Sequence, residues 1–233
     1  MLAKKGAVVP WQNLDCRLQC PEVVPYFDSL LGRARFLRVK RQMDLLLGIV
    51  LILILALPSA LIAIAIMCVD RMNPLFLQCR VTQNYRRFTL IKFRTMRPQV
   101  RSDLLAVAGD RRVTRLGAVL RKFRLDEIPQ LVNIVRGDMT FVGTRPELPR
   151  FVDHYTNEMR ATLLVTAGLT SQSSLQFREE GALLEHAKDA DEVYLKTILP
   201  AKMRLNLEYL MSMGFRKDWA VMLKTLMGVG GGK

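Results

Sequence analysis

Two acidic residues in direct succession, Asp126 and Glu127, stand in a stretch dominated by arginine. Arg121 and Arg124 lie just before them, Arg136 and Arg145 further on. Guanidinium groups meet phosphate oxygens two at a time, so carboxylates set among them suit chemistry on a phosphorylated partner. The pair has a plainer reading too. Acidic residues ahead of Pro129 and a helix start routinely cap N–H groups and face the helix dipole. The pair alone does not choose.

The charge around it narrows the partner. The net charge is +14, and positions 71–150 hold 17 Lys and Arg against 6 Asp and Glu. Such a basic middle calls for a polyanion: nucleic acid, anionic lipid headgroups or a phosphorylated small molecule. The four cysteines form no Cys-x-x-Cys pair and lie far from His154 and His186, which argues against a zinc site or a disulfide framework.

The elements that must position these residues begin with an uncharged run of 25 residues between Asp44 and Asp70. That exceeds the roughly 20 residues needed to cross hydrocarbon as a helix, and it starts too far along the chain for a cleavable signal. Pro58 and Ser59 sit mid-run, where a proline removes one helical hydrogen bond and bends the helix. Both flanks are basic: Arg38, Lys40 and Arg41 before, Arg71 and Arg80 after. The positive-inside tendency puts both ends on the cytoplasmic side, which a helix entering and leaving by one face would satisfy. A kinked single span accommodates the proline equally well.

Residues 1–25, with Pro10, Pro21 and Pro25, read as a loose extension, and 26–41 as a basic amphipathic lead-in. Leu75 to Val81 and Phe88 to Phe93 alternate as two strands of a hairpin turning through Gln83 and Asn84. Residues 97–111 look like a polar loop. Helices are predicted from Thr114 to Phe123 and from Pro129 to a stop at Gly137, followed by a buried strand through Met139, Phe141 and Val142. The last third reads as two helices broken at Gly214, then a floppy tail.

Three runs occur in order along the chain: KRQMD (Lys40–Asp44), KFRTM (Lys92–Met96) and RVTRLGAVLRKFRLDEIPQLVNIVRGDMTFVGTRPE (Arg112–Glu147). Together they closely resemble the bacterial sugar transferase family, the monotopic phosphoglycosyl transferases. The resemblance implies an α+β, mainly helical fold: a re-entrant membrane helix broken at Pro58 and Ser59, a small cytoplasmic catalytic domain with a short β-hairpin, and interfacial helices. The corresponding divisions are an extension (1–39), the membrane helix (40–71), the catalytic domain (72–227) and a flexible tail (228–233).

By the same resemblance Asp126 is the nucleophile and Glu127 its neighbour that helps hold Mg²⁺, with Asp126 a second ligand. Arg121 and Arg145 match phosphate-binding arginines. Lys92, Arg94 and the later Asp218 are expected beside them. The implied reaction moves a sugar 1-phosphate from a UDP-sugar to polyprenyl (undecaprenyl) phosphate through an aspartyl-phosphosugar intermediate, releasing UMP, as the first membrane step of polysaccharide or glycoconjugate synthesis. The expected setting is the bacterial inner membrane, among membrane lipids, with no nucleic acid bound; a homo-oligomer is allowed.

Such a reaction suits these residue types. Mg²⁺ and guanidinium groups offset diphosphate charge, and an acyl phosphate stays reactive enough to pass its group on. The chain also departs from the family. Arg124 stands where Ser is usual, Thr144 replaces the first Pro of Pro-Arg-Pro, Val81-Thr82 lacks the hairpin Gly, and GLTSQSSLQFREEGALL lacks the usual Trp-Ala-Gln-Val-Asn-Gly. Two rivals remain at this point: a membrane-tethered nucleic-acid binder resting on the basic middle, and a non-catalytic scaffold of a polysaccharide assembly.

Overall fold

The computed structural model of the chain describes residues 7–98, 109–178, 180–184 and 189–228. Most of the expected polar loop (99–108) and the tail (229–233) lie outside the described residues.

Residues 7–23 are not loose. Three short turns, Trp11–Asn13, Cys16–Leu18 and Pro21–Val23, bury Leu14, Leu18 and Val23 in the same core as Leu131, Ile134, Met203 and Leu210. The prolines that suggest looseness serve instead at turn starts, where a fixed φ is an advantage; Pro21 is the first residue of its turn. The extension is therefore part of the main core. Helix α1 (Val24–Leu31) follows and takes the first part of the expected lead-in, and then α2 (Ala34–Ala65) fuses the rest of it with most of the apolar run.

Helix α2 runs on through Pro58 as one element, so the proline does not end it. The missing N–H leaves one hydrogen bond unmade, which permits a bend there without ending the helix. The helix changes character only at Ile66–Asp70, a wider turn closed by Arg71 in the left-handed region at φ 53°. Its most apolar window has a mean hydropathy of 3.1 and is only 6% buried within the protein. Each such side chain left in water would forgo roughly 1.5–3 kcal/mol of burial. The segment is therefore no core helix of the described domain, and it is long and apolar enough to enter a membrane.

After α2 come β1 (Leu75–Val81) and β2 (Arg87–Phe93), the expected hairpin, in antiparallel register from Leu75 opposite Phe93 to Val81 opposite Arg87. Asn84 and Tyr85, both at positive φ, make its turn. Next are α3 (Arg115–Lys122), α4 (Gln130–Arg136), β3 (Met139–Val142), α5 (Pro149–Val152) and β4 (Ala167–Thr170). The chain closes with α6 (Gln172–Gln176), α7 (Glu180–Leu184), α8 (Ala190–Val193), α9 (Leu199–Ser212) and α10 (Phe215–Gly228).

Strand β4 pairs parallel to β3 and has no counterpart in the sequence reading. The two chains meet so closely at Gly168 that an added Cβ would lie 2.3 Å from the nitrogen of Gly143. Thr82 is fully buried, donating to the Asp138 carbonyl at 2.9 Å and accepting from the Ala167 N–H at 3.0 Å. Its hydroxyl ties the hairpin to both short strands, a task no glycine could perform.

Both ends of the membrane helix are fixed to this one domain. At the start, Arg41 donates to the carbonyls of Ile134 and Val135 at 2.7 and 2.9 Å, capping the C-terminal end of α4 with a cation. Nearby, Asp44 accepts from the Thr140 hydroxyl. At the far end, Asp70 accepts from the Thr114 hydroxyl at 2.8 Å, and Ile66 packs with Phe93 and Leu120.

Candidate active site

The carboxylate pair is placed by two helices and the turn between them. Thr114 caps α3, accepting from the Gly117 N–H at 2.9 Å while its own proton goes to Asp70. Gly117 has no room for a side chain, since a Cβ would fall 2.2 Å from the Thr95 carbonyl oxygen. Helix α3 thus lies directly on the strand end after β2, and its last turn presents Arg121, whose Nε donates to the Thr95 hydroxyl at 2.8 Å. Arg124 then adopts φ 54°, a left-handed conformation that a non-glycine residue takes only at some cost. That reversal ends α3 and starts the short turn Leu125–Glu127, which feeds α4 through Pro129.

Helix α4 is anchored along its length. Asn133, fully buried, accepts from the Ile91 N–H at 3.1 Å and donates to the Thr89 carbonyl at 2.8 Å, and Arg41 caps the far end. The acidic turn is therefore fixed between the hairpin and the root of the membrane helix.

The two carboxylates have different surroundings. Glu127 is gripped: Arg145 Nη2 donates to its Oε1 at 2.9 Å, and Arg124 stands 3.6 Å from Oε2. Burial pushes this carboxyl up, but the two guanidiniums outweigh burial and hold it below the ordinary glutamate range. The same contact raises Arg145 further. Asp126 is 8% exposed, and among the described residues no donor lies within hydrogen-bonding distance of its carboxylate. Burial, then the neighbouring Glu127 charge, push its affinity for a proton up, while Lys92, Arg121 and Arg145 oppose them. A buried, unclaimed carboxylate is costly unless something else meets it. It opens into a cleft of about 480 Å³ whose walls include Lys92, Arg121, Arg145 and Arg178.

Lys92 projects from β2 into this cleft. Burial, reinforced by the Arg80 charge, lowers its ammonium to about 8. Above that pH the free protein loses a cation facing the pair. We expect kcat/KM to decline above about pH 8 for a phosphate-bearing substrate, with the limb abolished in Lys92→Arg. In kcat the limb should move to higher pH, because bound phosphate favours the charged form. A pH profile that keeps its basic limb in Lys92→Arg would assign it elsewhere.

The structure brings Asp126, Glu127, Arg121, Arg145 and Lys92 together. Arg94 is tied to the hairpin base, donating to the carbonyls of Asn73 and Leu75 at 3.0 and 3.1 Å, and lines a neighbouring cavity that also holds Lys92, Arg121 and Arg145. Asp218 is elsewhere and corrects the expectation. Its carboxylate accepts from Lys40 Nζ and from Tyr209, both at 2.6 Å, at the root of α2. Both charges of the Lys40–Asp218 pair are nearly enclosed, and breaking such a pair costs about 3–5 kcal/mol. Asp218→Ala should accordingly lower the melting temperature sharply, while a variant of equal stability and lost turnover would return Asp218 to the site.

Sequence reasoning missed Lys202, Glu147, Tyr194 and Glu180. Lys202 is 3% exposed and donates to Tyr194 Oη and Glu180 Oε2, both at 3.0 Å, while lying 3.3 Å from Glu147 Oε1. A signal existed: Leu199, Lys202, Met203 and Asn206 share one buried face of α9, and a lysine there requires a partner.

Among the described residues no three His, Cys, Asp or Glu side chains converge to cage a metal. Mg²⁺ does not need such a cage, since it takes one or two carboxylates and completes its shell with waters and substrate phosphates. Two adjacent hard-oxygen donors in a phosphate-attracting cleft fit that requirement.

The family model for bacterial sugar transferases matches residues 35–232. The chain is 33% identical over 174 residues to a UDP-N-acetylgalactosamine-undecaprenyl-phosphate N-acetylgalactosaminephosphotransferase of Aeromonas hydrophila, covering 72% of this chain and 39% of that protein. It is 34% identical over 167 residues to a UDP-glucose:undecaprenyl-phosphate glucose-1-phosphate transferase of Caulobacter vibrioides, covering 68% and 62%. A third, an undecaprenyl-phosphate glucose phosphotransferase of Komagataeibacter xylinus, is 43% identical over 115 residues, covering 48% and 21%. The chain thus spans less than two thirds of the length of each of these relatives.

Proposed function

This chain belongs to the bacterial sugar transferase family, and from that premise we propose that it transfers a sugar 1-phosphate from a UDP-sugar to polyprenyl phosphate, releasing UMP. Undecaprenyl phosphate is the acceptor that the names of its relatives point to. The observation that carries the reading is the unclaimed Asp126 carboxylate facing a cleft of cations.

In the first step an Asp126 oxygen attacks the sugar-bearing phosphorus. A new O–P bond forms, the bond to the UMP oxygen breaks, and UMP leaves with that electron pair. In the second, an oxygen of the lipid phosphate attacks the same phosphorus and the aspartyl O–P bond breaks, restoring the carboxylate. Mg²⁺, held by Glu127 with Asp126 as second ligand, would offset charge on the diphosphate and on departing UMP. Arg121, Arg145 and Lys92 hold the phosphates while the sugar-bearing phosphorus is presented to Asp126. Arg145 also fixes Glu127, keeping the ligand oxygens oriented.

The acceptor phosphate lies at a bilayer surface, and α2 brings the site to it. Penetration of a single leaflet is supported by the anchoring of both helix ends, at Arg41 and Asp70, to the same domain. A straight crossing would separate those ends by roughly 30 Å of hydrocarbon. Basic residues at both flanks favour the cytoplasmic face of the inner membrane.

Purified protein given a UDP-sugar and Mg²⁺ but no lipid should release one UMP per active site and then stop. Adding polyprenyl phosphate should restart release. Continuous release without lipid would indicate hydrolysis, and release that begins only with lipid would indicate direct transfer.

A further inference from the structure

The cleft beside Asp126 contains a third carboxylate with no place in the steps above. A second lobe of about 300 Å³ opens beside the Asp126 lobe, and the two share Lys92, Arg121, Arg145, Glu180 and Lys202 as a common wall. Of these, Lys92, Arg121 and Arg145 are cations suited to a diphosphate. Glu180 is not. An acidic side chain in a cleft for an anionic substrate repels that substrate, so its presence there needs a cause.

Glu180 is held in a locally neutral group. Its Oε2 accepts from the buried Lys202 at 3.0 Å, Lys202 also lies 3.3 Å from Glu147, and Arg80 stands 3.8 Å from the other Glu147 oxygen. Two cations thus balance two carboxylates. Lys202 is spent on partners and is almost fully enclosed, whereas the Glu180 side chain keeps 36% of its surface. Among the described residues no donor reaches its second oxygen, Oε1. A fixed, charge-balanced carboxylate with one free oxygen is an acceptor for neutral O–H groups. It suits the hydroxyl-bearing part of a substrate whose phosphates are taken by the cations alongside.

Resting on the reaction proposed above, we infer that Glu180, positioned by Lys202, accepts hydrogen bonds from hydroxyls of the donor's hexose and so sets which sugar is transferred. The hydroxyls of the nucleotide ribose offer the same chemistry, and free UDP separates the two. Removing a negative charge from a cationic cleft should leave UDP binding unchanged or tighten it, since UDP carries the ribose and phosphates but no hexose. Removing an acceptor of hexose hydroxyls should weaken only the sugar-bearing donor.

The test uses the full chain in lipid nanodiscs, as wild type, Glu180→Gln and Glu180→Asp. UDP binding is followed by calorimetry, and UMP release is measured from UDP-glucose, UDP-galactose and their N-acetyl counterparts. Glu180→Gln is nearly isosteric at a half-exposed position, and a melting curve confirms its fold. Hydrogen bonds to a charged group are worth enough that kcat/KM for the preferred donor should fall about 10- to 100-fold. Discrimination between the glucose and galactose epimers should shrink, UDP should bind as well as before or better, and Glu180→Asp should fall between. An unchanged donor ranking would overturn the assignment. So would a parallel loss of UDP binding, which would place the contact at the ribose or reveal a structural defect. Wild-type protein that releases UMP from no donor would overturn the reaction itself, and this assignment with it.

Discussion

Asp126→Asn should abolish both UMP release and lipid-linked product, with turnover falling by at least about 10³- to 10⁴-fold, as expected when a nucleophile is removed and only binding groups remain. The substitution is close to isosteric and takes a charge out of a buried position, so the fold should persist or gain stability. Burial and Glu127 already disfavour the ionised form, and the amide removes that penalty. This combination distinguishes chemistry from architecture. A capping or packing role would give the opposite pattern, lower stability with residual turnover. UDP-sugar binding should survive, because Arg121, Arg145 and Lys92 are untouched.

The second large effect concerns Arg145. It donates through Nη2 to Glu127 at 2.9 Å and through Nη1 to the Leu169 carbonyl at 3.3 Å, bridging β4 to the acidic turn. Arg145→Ala removes a cation from the cleft and leaves Glu127 with only the longer contact to Arg124. A preorganised group facing developing charge is typically worth about 10²–10³ in kcat, and that is the loss expected here. Arg145→Lys should recover only part of it, because an ammonium cannot bridge both partners in the planar fork. Full rescue by lysine would mean that only the charge matters. The Mg²⁺ dependence should also weaken in Arg145→Ala, since the proposed ligand Glu127 is no longer oriented.

Much of this site was readable from sequence, for specific reasons. Alternation in Leu75–Val81 and Arg87–Phe93 gives the hairpin because one face is packed and the other is not. The α3 start is legible in Thr114, and the α4 stop in Gly137, because capping is local chemistry. Asp126 and Glu127 stood out as adjacent carboxylates among arginines, and the structure sets them in one cleft with Lys92, Arg121 and Arg145, but their roles came from the family resemblance and not from the pair itself.

What escaped depended on contacts distant in sequence. Strand β4, Ala167–Thr170, is four residues with a central glycine, and only its fit against Gly143 makes it a strand. The N-terminal turns looked loose because prolines interrupt Leu14, Leu18 and Val23, whose burial comes from elements more than a hundred residues away. Asp218 was misplaced because its actual partner, Lys40, is separated from it by 178 positions. Lys202 and Glu180 lie on different helices, and their pairing appears only when α9 and α7 meet at the cleft wall.

The most direct measurement is intact-protein mass spectrometry after incubation with a UDP-sugar and Mg²⁺ in the absence of lipid, followed by peptide mapping. Transient attachment of phosphorus to an acidic side chain predicts a mass gain of one sugar phosphate, located on the peptide bearing Asp126 and discharged by polyprenyl phosphate. Turnover with no adduct on any acidic side chain, or an adduct mapping to a residue other than Asp126, would contradict it.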